Sequence, residues 1–166
     1  TSVKFGPAAN SVAFGRYQTS VGVDFVALLG RTFGQDAPQD VGEFRTGEGM
    51  PNLPPRVGPV VITEIMYHPP SGSDNLEFIE LRNVSGDAVP LFDPLNPTNT
   101  WRLRDAVDFD FPSNITLPAS GELVVVSFDP HTDPASLAEF QAAYGTNAIL
   151  TGPFIGRLDN AGDSVE

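Results

Sequence analysis

Short apolar runs, most of them ended by Gly, Pro, Asn or Asp, recur along almost the whole chain. Gly and Pro number 16 each among 166 residues, which leaves little room for long helices. Runs of roughly four to eight residues are typical of short antiparallel strands in a sandwich or barrel. The sequence therefore predicts an all-β fold with strands at residues 2–6, 12–17, 23–28, 59–67, 76–84, 100–103, 121–128 and 148–150.

One segment has the signals of a helix instead. Asp133 is a favourable N-cap, Pro134 suits the first helical position, and Gly145 is a typical C-terminal stop. Between them, apolar residues recur on one helical face, at Leu137, Phe140 and Tyr144. We therefore predict one short helix packed on a β-sandwich.

Composition divides the chain into three parts. Residues 35–58 contain four prolines and few apolar residues, which is typical of an extended linker. Residues 1–34 form an N-terminal strand unit ahead of this linker, and residues 59–166 form the main body. Because the chain lacks an initiator Met and a signal peptide, we expect a processed or excised piece.

The charge and cysteine counts exclude several classes of function. The chain has no Cys, which removes disulfides, thiolate metal sites and cysteine nucleophiles. Its net charge of −12 argues against binding to nucleic acid or to anionic lipid. No run approaches the roughly 20 apolar residues of a membrane span. The low charge content, the Gly/Pro richness and the single lysine favour a secreted, extracellular β protein.

An ordered series of motifs runs from Ile62 to Glu166. It reads I-x-E-I-x-Y-x-P, E-F-I-E-L-x-N, W-x-L-x-D, G-x-L-V-V-V and L-D-N-x-G-D-S-V-E. This series resembles the lamin-tail domain as it occurs in secreted bacterial multidomain proteins. The resemblance implies an immunoglobulin-like β-sandwich that serves as a non-catalytic module of surface and secreted proteins.

The N-terminal segments resemble the end of such a domain rather than its start. Residues 1–6 and 11–17 are similar to its closing strands, and residues 24–28 and 32–34 are similar to its exit. The body, by contrast, stops where a strand begins. We therefore expect the body to lack its last strands, and we expect strands of the missing type at the other end of the chain.

Two routes would complete such a sandwich, since an open sheet edge invites pairing. The N-terminal segment could fold back into its own body, as in a circular permutant, or it could insert into a neighbouring copy. The stiff Pro-rich linker favours the second route. A head-to-tail contact of this kind propagates into a filament unless it closes into a ring. The sequence thus predicts an extracellular structural subunit whose partners are copies of itself.

Two sets of residues follow from this prediction. The donor strands are expected to use Val3, Phe5, Val12, Phe14, Tyr17, Phe25, Val26 and Leu28. The acceptor edge is expected at Asp163, Ser164, Val165 and Glu166. The alternative is a binding or adhesion module excised from a tandem multidomain secreted protein at the cell surface. Such a module would recognise carbohydrate or protein, with or without Ca²⁺.

Acidic residues lie among apolar ones in the predicted strands, which is costly unless each carboxylate is paired. Glu64, for example, is expected to share a strand face with Ile62 and Met66. Pairing with Arg82, Arg102, Arg104 or backbone N–H groups is one solution. A Ca²⁺ site is the other, because calcium prefers hard oxygen ligands. Its candidate ligands are Glu64, Asp74, Glu77, Asp159 and Asp163.

Nothing in the chain predicts catalysis. There is no G-x-S-x-G motif, and the Gly-rich stretch at 45–49 lacks the lysine of a phosphate-binding loop. We therefore predict a protein that is not an enzyme and needs no cofactor apart from the candidate Ca²⁺. Trp101 is expected in the core, although it could form a sugar platform. Two sequons, at Asn83 and Asn114, are candidate glycosylation sites.

Overall fold

The computed structural model describes residues 2–5, 7–8, 10–31, 52, 54–145 and 148–166. The described residues belong to two compact units, Thr1–Val57 and Gly58–Glu166. Most of the predicted linker, residues 35–51 and 53, lies outside the described residues.

The first unit is built on a β-hairpin. Strands β1 (Phe14–Thr19) and β2 (Gly22–Ala27) pair antiparallel, with Phe14 opposite Ala27 and Thr19 opposite Gly22. Gly22 ends the tight turn with a φ of 151°, a conformation that favours glycine. Every predicted strand except 2–6 overlaps an observed strand, and residues 2–5 are not in a strand.

Residues that the sequence assigned to the linker pair with this hairpin. The N–H of Leu29 donates to the carbonyl of Pro54 at 3.0 Å, and the N–H of Arg56 donates to Ala27 at 2.7 Å. The side chain of Asn52 donates to the carbonyl of Arg16 at 2.8 Å. The described part of the predicted linker is therefore held against the hairpin by hydrogen bonds.

The second unit contains two layers of short strands. A four-stranded sheet has the order β12-β11-β4-β3, with β11 and β12 parallel and the other pairs antiparallel. A three-stranded sheet has the order β13-β9-β8, and two-stranded pairs are formed by β10 with β5 and by β6 with β7. The bounds are β3 Val60–Met66, β4 Phe78–Asn83, β5 Val89–Pro90, β6 Phe92–Asp93, β7 Asn96–Thr100, β8 Arg102–Leu103, β9 Val107–Asp110, β10 Thr116–Leu117, β11 Glu122–Val126, β12 Ile149–Thr151 and β13 Ile155–Gly156.

Two apolar clusters stabilise this unit. The larger one, the main core, includes Ile79 and Leu123 from the four-stranded sheet and Phe109 and Leu103 from the three-stranded sheet. The smaller one, the helix-side core, includes Phe78 and Val126 from the opposite face of the four-stranded sheet, together with Phe140 from the helix. Burial of such side chains from water is the principal driving force for this arrangement.

Helix α1 (Pro134–Tyr144) forms as its sequence predicts. The carboxylate of Asp133 accepts hydrogen bonds from the N–H of Ser136 at 3.1 Å and from its hydroxyl at 2.7 Å. Gly145 ends the helix in the left-handed conformation, with a φ of 58°. A 3-10 turn at Asp74–Leu76 packs beside it. The all-β sandwich with a single helix is confirmed for the described part of the chain.

Candidate functional site

Strand β3 is the outer strand of the four-stranded sheet, and its irregular pairing decides which side chains face the main core. The register shifts between Ile62 and Glu64, so that Thr63 is an extra residue in a β-bulge. Ile62 lies opposite Leu81, and Ile65 lies opposite Ile79. Because Leu81 and Ile79 belong to the main core, both isoleucines of β3 point to that side as well.

The bulge corrects one sequence expectation. Glu64 pairs with Glu80 and Met66 pairs with Phe78, which places both on the helix side of the sheet. Glu64 therefore shares a face with Met66, as predicted, but not with Ile62. Strict alternation fails here because the inserted Thr63 reverses the faces of the residues before it. The hydroxyl of Thr63 donates to the carboxylate of Glu80.

Ile62 and Ile65 are 37% and 39% exposed, although they point to the core side. Within the described residues, β3 pairs only with β4, so its second edge carries no strand. An edge strand with apolar side chains over an uncovered core is a surface for pairing with another strand. Neither isoleucine was predicted as a site residue from the sequence. The available signal was a pair of isoleucines separated by two polar residues, which fits a bulge better than regular alternation.

The predicted acceptor residues lie in the second layer. Val165 bridges Asp105, and two main-chain hydrogen bonds join Glu166 to Arg104, at 2.9 and 3.3 Å. The N–H of Ala106 donates to the carbonyl of Ser164 at 3.0 Å. Among the described residues, the N–H and C=O of Val165 make no main-chain hydrogen bond. One edge of this segment is therefore paired, and the other edge is open.

A groove lies between β3 and this C-terminal segment. Its volume is about 320 Å³, and its lining residues are Ile65, Tyr67, Leu158, Asp159, Gly162, Asp163 and Val165. Leu158 and Val165 contact the main core, so the floor of the groove is apolar. Asp159 and Asp163 are exposed and add acidic groups to its lining. We call this feature the β3 groove.

Glu77 anchors the chain that forms one wall of the β3 groove. Its side chain is 3% exposed, and the N–H of Leu158 donates to its Oε2 at 3.3 Å. Arg157 lies 3.8 Å from Glu77 Oε1 and 3.3 Å from Asp74 Oδ1. Burial raises the pKa of Glu77; the Leu158 N–H and Arg157 act in the opposite direction, while the charge of Asp74 adds to the rise. Glu77 therefore pairs with a backbone N–H group, which is one of the partners predicted for the acidic residues in the strands.

The five candidate calcium ligands lie in three separate parts of the sandwich. Asp74 and Glu77 flank Arg157, Asp159 and Asp163 line the groove, and Glu64 lies on the helix side of β3. No three Asp, Glu or His residues in the described part of the chain are grouped so that they could hold a metal ion. The calcium prediction therefore gains no support from this geometry.

Four of the predicted donor residues, Phe14, Tyr17, Phe25 and Val26, lie in the hairpin and are divided between its two faces, while Val3, Phe5 and Val12 precede it and Leu28 follows it. Phe5, Phe14 and Phe25 form an aromatic row on one face. The ring centroids of Phe5 and Phe14 lie 5.8 Å apart, and those of Phe14 and Phe25 lie 6.3 Å apart. Val3 and Phe5 are exposed and Val12 is half-buried. Tyr17 and Val26 point to the opposite face.

Leu28 is 4% exposed and is therefore already used inside the first unit. It packs against Gly15, where an added Cβ would lie only 2.7 Å from Leu28 Cδ1. The aromatic row stays partly accessible, with Phe14 and Phe25 half-buried and Phe5 71% exposed.

The two sequons differ in accessibility. Asn83 is fully buried, and its Nδ2 donates to the carbonyls of Asp87, Leu117 and Pro118. The atom that would carry a glycan is thus occupied, and Asn83 is not available as an acceptor in the folded domain. Asn114 is exposed in a turn and stays a prediction.

Trp101 corrects another expectation, because its side chain is 41% exposed and does not belong to the main core. Its main chain connects neighbouring strands: its N–H donates to Leu91 and its carbonyl accepts from Phe111. The aromatic residues of the main core are phenylalanines, among them Phe109 and Phe111, whose rings meet edge to face at 5.0 Å.

Comparison with known families decides what the second unit is. The family model described as Lamin Tail Domain matches residues 54–165, which is most of the chain. The chain belongs to the lamin-tail domain family. The resemblance found in the motif series is therefore confirmed, and with it the immunoglobulin-like sandwich. Searches of curated proteins and of solved structures found no match.

Membership of the lamin-tail family makes the body an immunoglobulin-like module of the binding or structural kind. The lamin-tail sandwich is a non-catalytic type of domain. No helix in the described part of the chain is long and apolar enough to cross a bilayer.

Proposed function

We propose that this lamin-tail chain is an extracellular structural subunit that joins copies of itself head to tail by strand addition. The β3 groove of one copy accepts strands from the N-terminal unit of the next copy. The observation that carries the proposal is the position of Ile62 and Ile65, which point to the core side of an unpaired edge strand and remain exposed.

The groove offers both components of strand addition. The free edge of β3 supplies unpaired N–H and C=O groups, and the open side of Val165 lies across the groove. A strand in this position would cover the exposed parts of Ile62 and Ile65. Since full burial of an isoleucine contributes roughly 1.5–3 kcal/mol, covering about a third of each side chain contributes about 0.5–1 kcal/mol per residue.

The hairpin is a suitable donor in composition and in geometry. Phe14 and Phe25 are half-buried, and Phe5 above them is 71% exposed. The hairpin is a two-stranded sheet with only an isolated bridge to Pro55 beside it among the described residues. So small a sheet gains stability from joining a larger one. Because donor and acceptor are different surfaces of one chain, the contact is heterologous and repeats along a filament.

The second candidate is a binding or adhesion module within a tandem secreted protein. The exposed indole of Trp101 favours it, because an accessible aromatic face is a common element of carbohydrate and protein recognition. In this case the β3 groove would be filled from within the same polypeptide, and the chain would not polymerise.

The test compares the full chain with two isoleucine variants. Ile65→Asp places a charge in the β3 groove, whereas Ile149→Asp places the same charge at the opposite edge of the same sheet. Ile149 lies opposite Leu123 and is 49% exposed, so the two positions match in residue type, face and exposure. Light scattering and negative-stain microscopy measure particle mass and length, and circular dichroism checks the fold of each variant.

We expect filaments from the natural sequence and from Ile149→Asp, and a large loss of particle length in folded Ile65→Asp. A natural chain that stays monomeric at high concentration contradicts the proposal and favours the binding module. Equal loss in the two variants, or none in either, also contradicts it. If Ile65→Asp does not fold, the milder Ile65→Thr replaces it and should shorten the particles.

A further inference from the structure

The charge of the chain is divided unevenly between its two units. Residues 1–57 contain five basic and five acidic residues, whereas residues 58–166 contain four basic and sixteen acidic residues. The whole net charge of −12 thus belongs to the sandwich, and the unit that holds the hairpin is neutral. Two sandwiches repel each other, while a sandwich and a hairpin unit do not.

The acidic lining of the β3 groove makes no ion pair with the arginines of the sandwich, although Arg157 lines a neighbouring cavity together with Asp159 and Asp163. All four arginines of the sandwich already have acidic partners: Arg82 with Glu122, Arg102 and Arg104 with Asp110, and Arg157 with Asp74. Among the described residues, Asp159 and Asp163 form no ion pair. Each accepts only a local main-chain N–H, from Ala161 and from Ser164 respectively.

The hairpin presents a cation beside its aromatic row. Arg16 lies two residues from Phe14 on the same face of β1, and it is directly opposite Phe25 on β2. Its side chain is exposed and makes no ion pair with any described residue. An apolar row with one adjacent cation complements an apolar groove with adjacent carboxylates.

We propose that the β3 groove selects its occupant by charge, with Arg16 in the hairpin of a second copy pairing with Asp159 and Asp163. This inference rests on the proposed strand addition and adds to it the residues that fix the partner and its orientation. Charged residues around an apolar contact contribute more to specificity and association rate than to affinity.

Charge reversal in the full chain tests the pairing. Arg16→Glu and Asp163→Arg should each weaken self-association roughly three- to tenfold and reduce its dependence on salt. The double variant should recover most of the loss, because each contact then joins an acidic side chain at position 16 to a basic one at position 163. Arg31→Glu is the matched control, since Arg31 is an exposed cation of the same unit that lies outside the hairpin and makes no ion pair with a described residue. It should associate as the natural chain does.

The outcomes separate this inference from the proposed function. If Arg16→Glu behaves like Arg31→Glu while Ile65→Asp still abolishes association, strand addition stands and the ionic selection is wrong. If the double variant associates no better than the single variants, the pairing of Arg16 with Asp163 is also wrong. If neither Ile65→Asp nor the charge variants change particle mass relative to their controls, both proposals fail.

Discussion

Glu77 is the one buried acidic residue in the described part of the chain. Burial disfavours the charged form of Glu77, whereas the Leu158 N–H and Arg157 stabilise it. The hydrogen bond to Leu158 connects the residue before β4 to the wall of the β3 groove. The motif E-F-I-E-L identified the residue as unusual for a strand. Its partner could not be predicted, because Leu158 is 81 positions away and the contact depends on the assembled sandwich.

Replacing Glu77 by Gln should change how stability depends on pH. Because burial raises the pKa of Glu77 above its ordinary value of 4.5, the folded state binds this proton more tightly than the unfolded state. The stability that this group contributes is present at low pH and is lost as pH rises through its folded pKa. The free energy of unfolding of Glu77→Gln, relative to the natural chain, should therefore increase with pH above about 4.5. The slope cannot exceed about 1.4 kcal/mol per pH unit.

Chemical denaturation at a series of pH values measures this difference. Asp110, Asp129 and Asp133 affect the pH dependence of stability in the opposite direction, because hydrogen bonds lower their pKa values. Both proteins retain these hydrogen bonds, so the contribution cancels when the two are compared. Glu139→Gln, on the exposed side of α1, is the control. A difference between Glu77→Gln and the natural chain that is flat with pH contradicts this account of Glu77.

At the level of elements, structures marked by local sequence signals were predicted, whereas short strands that depend on distant partners were not. Helix α1 was predictable because its cap, its first proline and its final glycine all lie within 13 residues of sequence, from Asp133 to Gly145. Strands β5, β6, β10 and β13 are two-residue pairings that exist only through their partners, and no local pattern marks them. Strand β9 was missed although it alternates buried Val107 and Phe109 with exposed aspartates.

Asn83 illustrates how one side chain connects elements. It ends β4, its Nδ2 donates to Leu117 in β10 and to Pro118, and its Oδ1 accepts from the N–H and hydroxyl of Ser85. Asn83→Ala removes these bonds and leaves buried carbonyls without a donor. We expect a loss of roughly 3 kcal/mol in the free energy of unfolding, measured by chemical denaturation.

The other sequon supplies the control for this prediction. Asn114→Ala changes an exposed side chain in a turn and should alter stability by no more than about 0.5 kcal/mol. Equal stability of the two variants would show that the buried bonds of Asn83 contribute nothing net.

At the level of the whole molecule, the family could be identified from the sequence, but the β3 groove could not. The ordered motifs identified the lamin-tail sandwich, since they follow its strand order. The groove and the exposed edge beside it depend on two facts of tertiary structure: a bulge at Thr63 that places Ile62 and Ile65 on the same face, and the pairing of Val165 with Asp105. Strand alternation alone predicts neither of them.

Cross-linking between copies tests the central claim most directly, because the chain has no cysteine and each introduced thiol is unique. A Phe14→Cys chain is mixed with an Ile65→Cys chain and treated with a short bis-maleimide, and the covalent dimer is quantified. The control mixture pairs Phe14→Cys with Ile149→Cys, whose thiol lies at the opposite edge of the sheet. We predict abundant dimer in the first mixture and little in the second, and equal yields in the two mixtures would contradict strand addition at the β3 groove.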